Sequence, residues 1–140
     1  MLIIAGADIN EPDRNGHTPL VQAIYYERTS VAELLISKGA ELYSTVSGHS
    51  CLELAISSRS PIFIIELLLT NGAKVNAMTP SGQTPLHVAV SYENYLCIPT
   101  LLNYGASVTL KNQTHGLNAF EFALSRNEAQ VFKSMIHYFV

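Results

Sequence analysis

The chain has 140 residues, a formal net charge of −3, 48% hydrophobic side chains and 14% charged ones. That length holds one domain and excludes a large multidomain enzyme, and so apolar a composition is that of a packed core, not of a disordered tail. The slight acidity argues against a nucleic-acid binder, which needs a basic face, and no apolar run approaches the ~20 residues that would span a bilayer.

At the N-terminus, Met1-Leu2-Ile3-Ile4 reads as the last turn of a helix and lacks the positive flank of a signal peptide. Gly6-Ala7 follows it. The polar stretch Asn10-Glu11-Pro12-Asp13-Arg14-Asn15-Gly16 must reverse the chain. Asp8, Glu11 and Asp13 within and before it read as a solvated acidic loop. Thr18-Pro19-Leu20 predicts a helix start: the hydroxyl caps, and proline takes the first helical position, where its missing N–H costs nothing. This short first helix carries Ala23, small enough for a neighbouring helix to pack closely. A second helix is predicted over roughly 31–38, its apolar residues three and four apart. It ends with Leu35-Ile36 and then Gly39-Ala40, where glycine supplies a left-handed cap.

The same order recurs down the chain. Ser50-Cys51-Leu52 with Ala55 comes next, then a second helix started by Pro61 and ending in Leu68-Leu69 before Gly72-Ala73. Thr84-Pro85-Leu86 with Ala89 follows, with Leu101-Leu102 before Gly105-Ala106. Pro99 falls inside that second helix, so the helix either starts late, near Ile98, or is bent. Asn118-Ala119-Phe120 with Ala123 opens the last unit, in which Met135-Ile136 takes the place of the aliphatic pair. All eight glycines fall into two periodic sets. Gly6, Gly39, Gly72 and Gly105 lie 33 residues apart; Gly16, Gly48, Gly82 and Gly116 are spaced by 32, 34 and 34. The loop before Gly48 is thus one residue short and the loop before Gly116 one residue long.

Thr84-Pro85-Leu86-His87-Val88-Ala89 matches in full the Thr-Pro-Leu-His-x-Ala element of the 33-residue ankyrin repeat, and the segment from Thr18 to Ala23 departs from it only at Val21. Over almost its whole length the chain resembles an ankyrin-repeat protein. The resemblance implies an all-α solenoid of stacked helix-turn-helix units with projecting β-hairpin or loop fingers. It divides the single domain 1–140 into a half-repeat, 1–12, and repeats 13–44, 45–78, 79–112 and 113–140. Neither end reads as the polar cap that a solenoid needs. The array is therefore expected to belong to a longer chain, to use an end face for binding or self-association through Phe132, Met135 and Phe139, or to stand as four repeats with imperfect caps.

Catalytic chemistry is not expected, and neither a cofactor nor a metal is implied. His87 is read as hydrogen-bonding a neighbouring repeat. His17, His49 and His115 flank turn glycines of three different repeats, too far from each other for ligands that must converge at about 2 Å. Cys51 and Cys97 read as small buried hydrophobes with no activating base. Two cysteines are too few for a disulfide scaffold, so a reducing location, cytoplasmic or nuclear, is expected. Every glycine is committed to a cap or a turn, which leaves none for a phosphate loop.

What the resemblance implies is a non-catalytic protein-interaction module, a scaffold, adaptor or inhibitor, with a partner protein segment held on finger tips and on the exposed face of the first helices. On this chain the finger positions are Arg14, Asn15 and His17, then Val46 and His49, then Gln83, then His115 and Leu117. The matching ends of the first helices carry Tyr25 and Tyr26, Ser57 and Ser58, Ser91 and Tyr92, and Arg126. Tyrosine and arginine are the usual anchors of binding hot spots. The alternatives are an ankyrin region that mediates assembly of a longer enzyme or channel, and a self-associating chain.

Overall fold

A computed structural model describes residues 8–43, 48–127, 129 and 133. Seven α-helices run through the described residues: α1 (Pro19–Tyr25), α2 (Thr29–Ser37), α3 (Cys51–Ser57), α4 (Ile62–Thr70), α5 (Pro85–Ser91), α6 (Ile98–Asn103) and α7 (Ala119–Ser125). The odd-numbered helices begin on a side-chain cap. Thr18, Ser50, Thr84 and Asn118 each accept the backbone N–H three residues on, from Val21, Glu53, His87 and Glu121 at 3.3, 3.1, 3.4 and 2.8 Å. Pro19 and Pro85 fill the first helical position, and Cys51 and Ala119 replace proline there.

The even-numbered helices end as the glycines require. Gly39, Gly72 and Gly105 have φ of 86°, 101° and 93°. In each case the N–H of the following alanine reaches back five residues: Ala40 to Leu35, Ala73 to Leu68 and Ala106 to Leu101, all at 3.0 Å. The α2 helix begins at Thr29, two residues before the expected start, because α1 is stopped abruptly. Glu27 adopts φ 57° and the Arg28 N–H bonds back to Ala23 at 2.7 Å, so only residues 26–28 separate the pair. Pro61 is the N-cap of α4. Pro99 lies in the first turn of α6, which starts at Ile98 after a 3₁₀ turn at Tyr95–Cys97. Of the two readings of Pro99, the late start holds.

Two compact units, 1–73 and 74–140, divide the chain. In the first, α1 packs on α2 and α3, and α4 packs on α2 and α3. Its core is Leu20, Val21, Ile24, Leu35, Ile36, Leu52, Ile56, Ile64, Ile65, Leu68 and Leu69. In the second, α5 packs on α6, α7 and the 3₁₀ turn, around Leu86, Val88, Val90, Ile98, Leu101, Leu102 and Phe122. Ala23, Ala55, Ala89 and Ala123 are all buried, the close-packing role read from their period. Each buried Leu or Ile contributes about 1.5–3 kcal/mol of transfer free energy, which is how helices of six to nine residues persist.

The fingers between these helix pairs hold no strand among the described residues. Single antiparallel bridges join Tyr43 to Ser50 and Lys111 to Asn118. The apolar end proposed for self-association, Phe132, Met135 and Phe139, lies outside the described residues.

Candidate functional site

Each described finger tip is folded by one polar side chain at its base. Asp13 Oδ1 accepts the N–H groups of Asn15 and His17 at 2.8 and 3.0 Å, and Oδ2 accepts Gln22 Nε2 at 2.6 Å. The His17 N–H above all holds this carboxyl below the usual range, with smaller help from Asn15 and Gln22. The acidic loop is therefore not merely solvated: Asp13 organises the turn and ties it to α1. Thr79 and Asn112 take the same place in later fingers. Thr79 Oγ1 accepts the Gln83 N–H at 3.1 Å, and Asn112 Oδ1 accepts those of His115 and Leu117 at 3.2 and 3.1 Å. The extra residue of the last finger is absorbed in its tip. Its closing bond, Asn112 N–H to Leu117 O, spans five residues where Asp13 to His17 and Thr79 to Gln83 span four.

Neighbouring fingers are stitched side by side. In the second unit Gln113 N–H donates to Gly82 O at 2.8 Å, and Thr114 Oγ1 donates to Ser81 O at 3.2 Å. Asparagines at equivalent positions add rungs: Asn10 Oδ1 accepts the Glu41 N–H at 2.9 Å, and Asn76 Oδ1 accepts the Ser107 N–H at 2.8 Å.

In the first unit Arg14 and Asn15 stand exposed on the tip. His17 stacks on Tyr25 with ring centroids 6.4 Å apart, and Tyr26 meets Tyr25 edge-on at 5.3 Å. Tyr25 and Tyr26 are 59% and 66% exposed, so their rings face solvent and not the core. Beside them Gln22, Ala23, Tyr26 and Arg28 line an open recess of about 280 Å³. Ser57 and Ser58 spend their hydroxyls on Leu54 O at 3.1 and 2.7 Å, which leaves a low step. His49 pairs with Glu53 one turn on. Val46 lies outside the described residues.

In the second unit Tyr92 is 52% exposed at the end of α5. Gln83 Nε2 lies 3.5 Å from Ser91 Oγ, and an Arg126 guanidinium nitrogen lies 3.5 Å from Ser91 O. Arg126 also sits over the Phe122 ring at 5.6 Å, and His115 stacks on that ring at 6.5 Å. Leu117 is half-buried, less open than its finger position suggests, and its carbonyl is engaged by His87. Gln22 and Phe122 escaped the sequence reading. Both lie four residues after a cap, where Leu54 and Val88 stand in the other repeats. That variability in an otherwise periodic helix was the available signal.

The other chemistry-bearing groups are structural. His87 donates from Nε2 to Leu117 O at 2.8 Å and takes the Thr84 hydroxyl on Nδ1 at 2.6 Å, a contact with the next repeat. Cys51 and Cys97 are buried, and burial pushes both thiols up to about 12. Among the described residues no three His, Cys, Asp or Glu side chains come together as a metal site, and no helix is long and apolar enough to cross a membrane.

The family model for ankyrin repeats (3 copies) matches residues 1–79 and 61–139. The chain belongs to the ankyrin-repeat family. Ankyrin repeats generally serve as protein-interaction modules. The chain is 31% identical to the ankyrin repeat protein FPV031 of fowlpox virus (strain NVSL), over 99% of its own length and 43% of that protein. It is 39% identical to human ankyrin repeat and SOCS box protein 16, over 71% of this chain and 22% of that one. Tyrosine-protein kinase HTK16 of Hydra vulgaris is 35% identical over 74% of this chain and 14% of the kinase. This ankyrin-repeat chain thus spans less than half the length of each of these relatives.

Proposed function

We propose that the chain is a non-catalytic scaffold, adaptor or inhibitor that holds a segment of a partner protein on its finger tips and on the exposed ends of its first helices. The observation that carries this reading is the position of the tyrosines. Tyr25, Tyr26 and Tyr92 end α1 and α5 with more than half of each residue exposed, where packing does not demand an aromatic. Rigid aromatic surface of this kind binds at low entropic cost. In the first unit His17 stacks on Tyr25 and Arg14 and Asn15 stand exposed on the same finger; Gln83, His115 and Arg126 belong to the same unit as Tyr92; and the buried thiols fit a reducing compartment, cytoplasmic or nuclear.

The test is a pull-down with the wild-type chain and with a Tyr26→Ala/Tyr92→Ala double variant of the same thermal stability. A protein held by the first and lost by the second is the expected result. Equal recovery by both would remove the tyrosines from the contact.

A second reading has its own support. The matched stretch is 14% of a tyrosine kinase and 22% of a SOCS box protein. On this reading the repeats are the assembly region of a longer protein with its own activity. An antibody raised against residues 8–43 would then detect a native product far larger than 15.3 kDa; a band at that mass would count against it.

A further inference from the structure

Two places in the first repeat depart from the others. Four residues after the cap, Leu54, Val88 and Phe122 are apolar, whereas Gln22 carries an amide. Ten residues after it, Ser60 and Asn94 are neutral and buried, whereas Arg28 is a cation and stands exposed. Together with Ala23 and Tyr26, these two residues line the recess of about 280 Å³ at the end of α1. The share of liquid volume that one water molecule takes is about 30 Å³, so the recess has room for a side chain.

Its wall is rich in donors. Arg28 is held by its backbone, the N–H on Ala23 O at 2.7 Å and the carbonyl accepting the Ala32 N–H at 2.9 Å. Among the described residues its guanidinium pairs with no carboxylate, its sequence neighbour Glu27 included. Residues 1–7 and 44–47, which complete this unit, contain no Asp or Glu. The Tyr26 hydroxyl makes no hydrogen bond among the described residues. Gln22 donates one amide hydrogen to Asp13 and keeps the second. Asp13 itself engages three donors with its two oxygens.

A group that covers this recess takes a guanidinium out of water, a loss that only a hydrogen-bonded counter-charge offsets. A carboxylate meets that need, because its two oxygens match the guanidinium fork. The unit as a whole carries eight Asp or Glu against four Lys or Arg. Its overall charge therefore does not draw an acidic segment in. At physiological salt charges are screened beyond about 8 Å, so the attraction is local to Arg28.

We propose that Arg28, Tyr26 and Gln22 form the seat for an Asp or Glu side chain of the partner segment. The proposal rests on the interaction-module reading and names the chemistry that its partner brings to the first unit: an acidic peptide segment.

The test selects a displayed library of random short peptides on the intact 140-residue chain and, in parallel, on Arg28→Glu. Peptides selected by the wild type should be rich in Asp and Glu, and that enrichment should vanish or reverse on the variant. One labelled peptide from the wild-type pool should bind Arg28→Glu about tenfold more weakly or worse, and should lose a similar factor when its own Glu is made Gln. Tyr26→Phe keeps the ring and should lose less. Lys38→Glu alters the net charge by the same amount on an exposed residue outside the recess, and should bind as the wild type does. Thermal melts verify the fold of each variant. Should Arg28→Glu fail to fold, Arg28→Gln decides, with a smaller loss expected. Peptides that bind Arg28→Glu as well as the wild type, that lack an acidic excess, or that Lys38→Glu weakens equally would overturn the seat while leaving the interaction module standing. A library that yields no binder at all would overturn both.

Discussion

The Nε2–H of His87 donates to the carbonyl of Leu117 at 2.8 Å, so the first helix of one repeat holds the finger of the next. On the other side of the ring, Nδ1 accepts the Thr84 hydroxyl at 2.6 Å and faces the Thr84 N–H at 3.3 Å. Both contacts need the neutral imidazole, one nitrogen donating and the other accepting. Burial lowers the pKa of His87 from its ordinary value, and the Leu117 bond opposes this only in part. A folded-state pKa below the unfolded one means that the unfolded chain binds the proton more readily. The contribution of His87 to stability is therefore intact above about pH 6.5 and is lost as pH falls through the lowered value. Melting temperatures measured from pH 8 down to pH 5 should fall for the wild type and fall less steeply for His87→Gln. Identical slopes would place the acid sensitivity elsewhere.

Gly82 and Gly116 occupy equivalent finger positions with φ of 80° and 66°. Replacing either by alanine places a side chain in the left-handed region, at about 1–2 kcal/mol. Only at Gly82 does the new Cβ also collide, 2.4 Å from Gln113 Cβ, while at Gly116 nothing lies within 4 Å. Urea denaturation should therefore show a larger loss for Gly82→Ala than for Gly116→Ala. Equal losses would mean that the stacked fingers separate at little cost.

Leu86 is 1% exposed beneath the third repeat, whereas Leu96, ten residues on, is 81% exposed. Leu86→Ala should destabilise by about 2–5 kcal/mol, and Leu96→Ala by no more than about 0.5 kcal/mol. A loss below about 1 kcal/mol at Leu86 would contradict the repeat register.

The repeat, its caps and its core were legible because each depends on a residue that physics singles out. Pro19 and Pro85 can stand only in a first turn, Gly39 and Gly72 tolerate positive φ, and Ala55 and Ala89 let helices approach. Pro99 was ambiguous because sequence does not say whether a proline starts a helix or bends one; the 3₁₀ turn at Tyr95–Cys97 resolves it by filling the place of the missing turn. The candidate surface was less legible. The tyrosines, Arg126 and their neighbours His17, Ser91 and His115 were found by their register, but Gln22 and Phe122 were not. Nothing at position 122 announces that Phe122 supports His115 and Arg126, because that contact joins a finger to a helix through space. Asp13 looked like one acid among three, and only the folded turn gives its two oxygens three donors.

A fourth set of positions was invisible in the sequence and offers a way to stabilise the protein. Glu27, Arg59, Glu93 and Asn127 follow the four first helices with φ between 55° and 57°, although none is glycine. In each of the first three repeats the next N–H turns back to the buried alanine of the helix: Arg28 to Ala23, Ser60 to Ala55 and Asn94 to Ala89, at 2.7, 2.8 and 2.8 Å. The tight turn thus forces a left-handed residue, and a side chain with a Cβ pays strain there. Asparagine tolerates this region better than glutamate and, unlike glycine, does not loosen the unfolded chain. The fourth repeat already has Asn127 in that place. Glu27→Asn and Glu93→Asn should each raise stability by about 0.5–1 kcal/mol in chemical denaturation. The two gains should add, since one change lies in each unit. If neither variant gains, the glutamate side chains must supply interactions that offset the strain, and the expected companion would be weaker partner binding at the neighbouring Tyr26 and Tyr92.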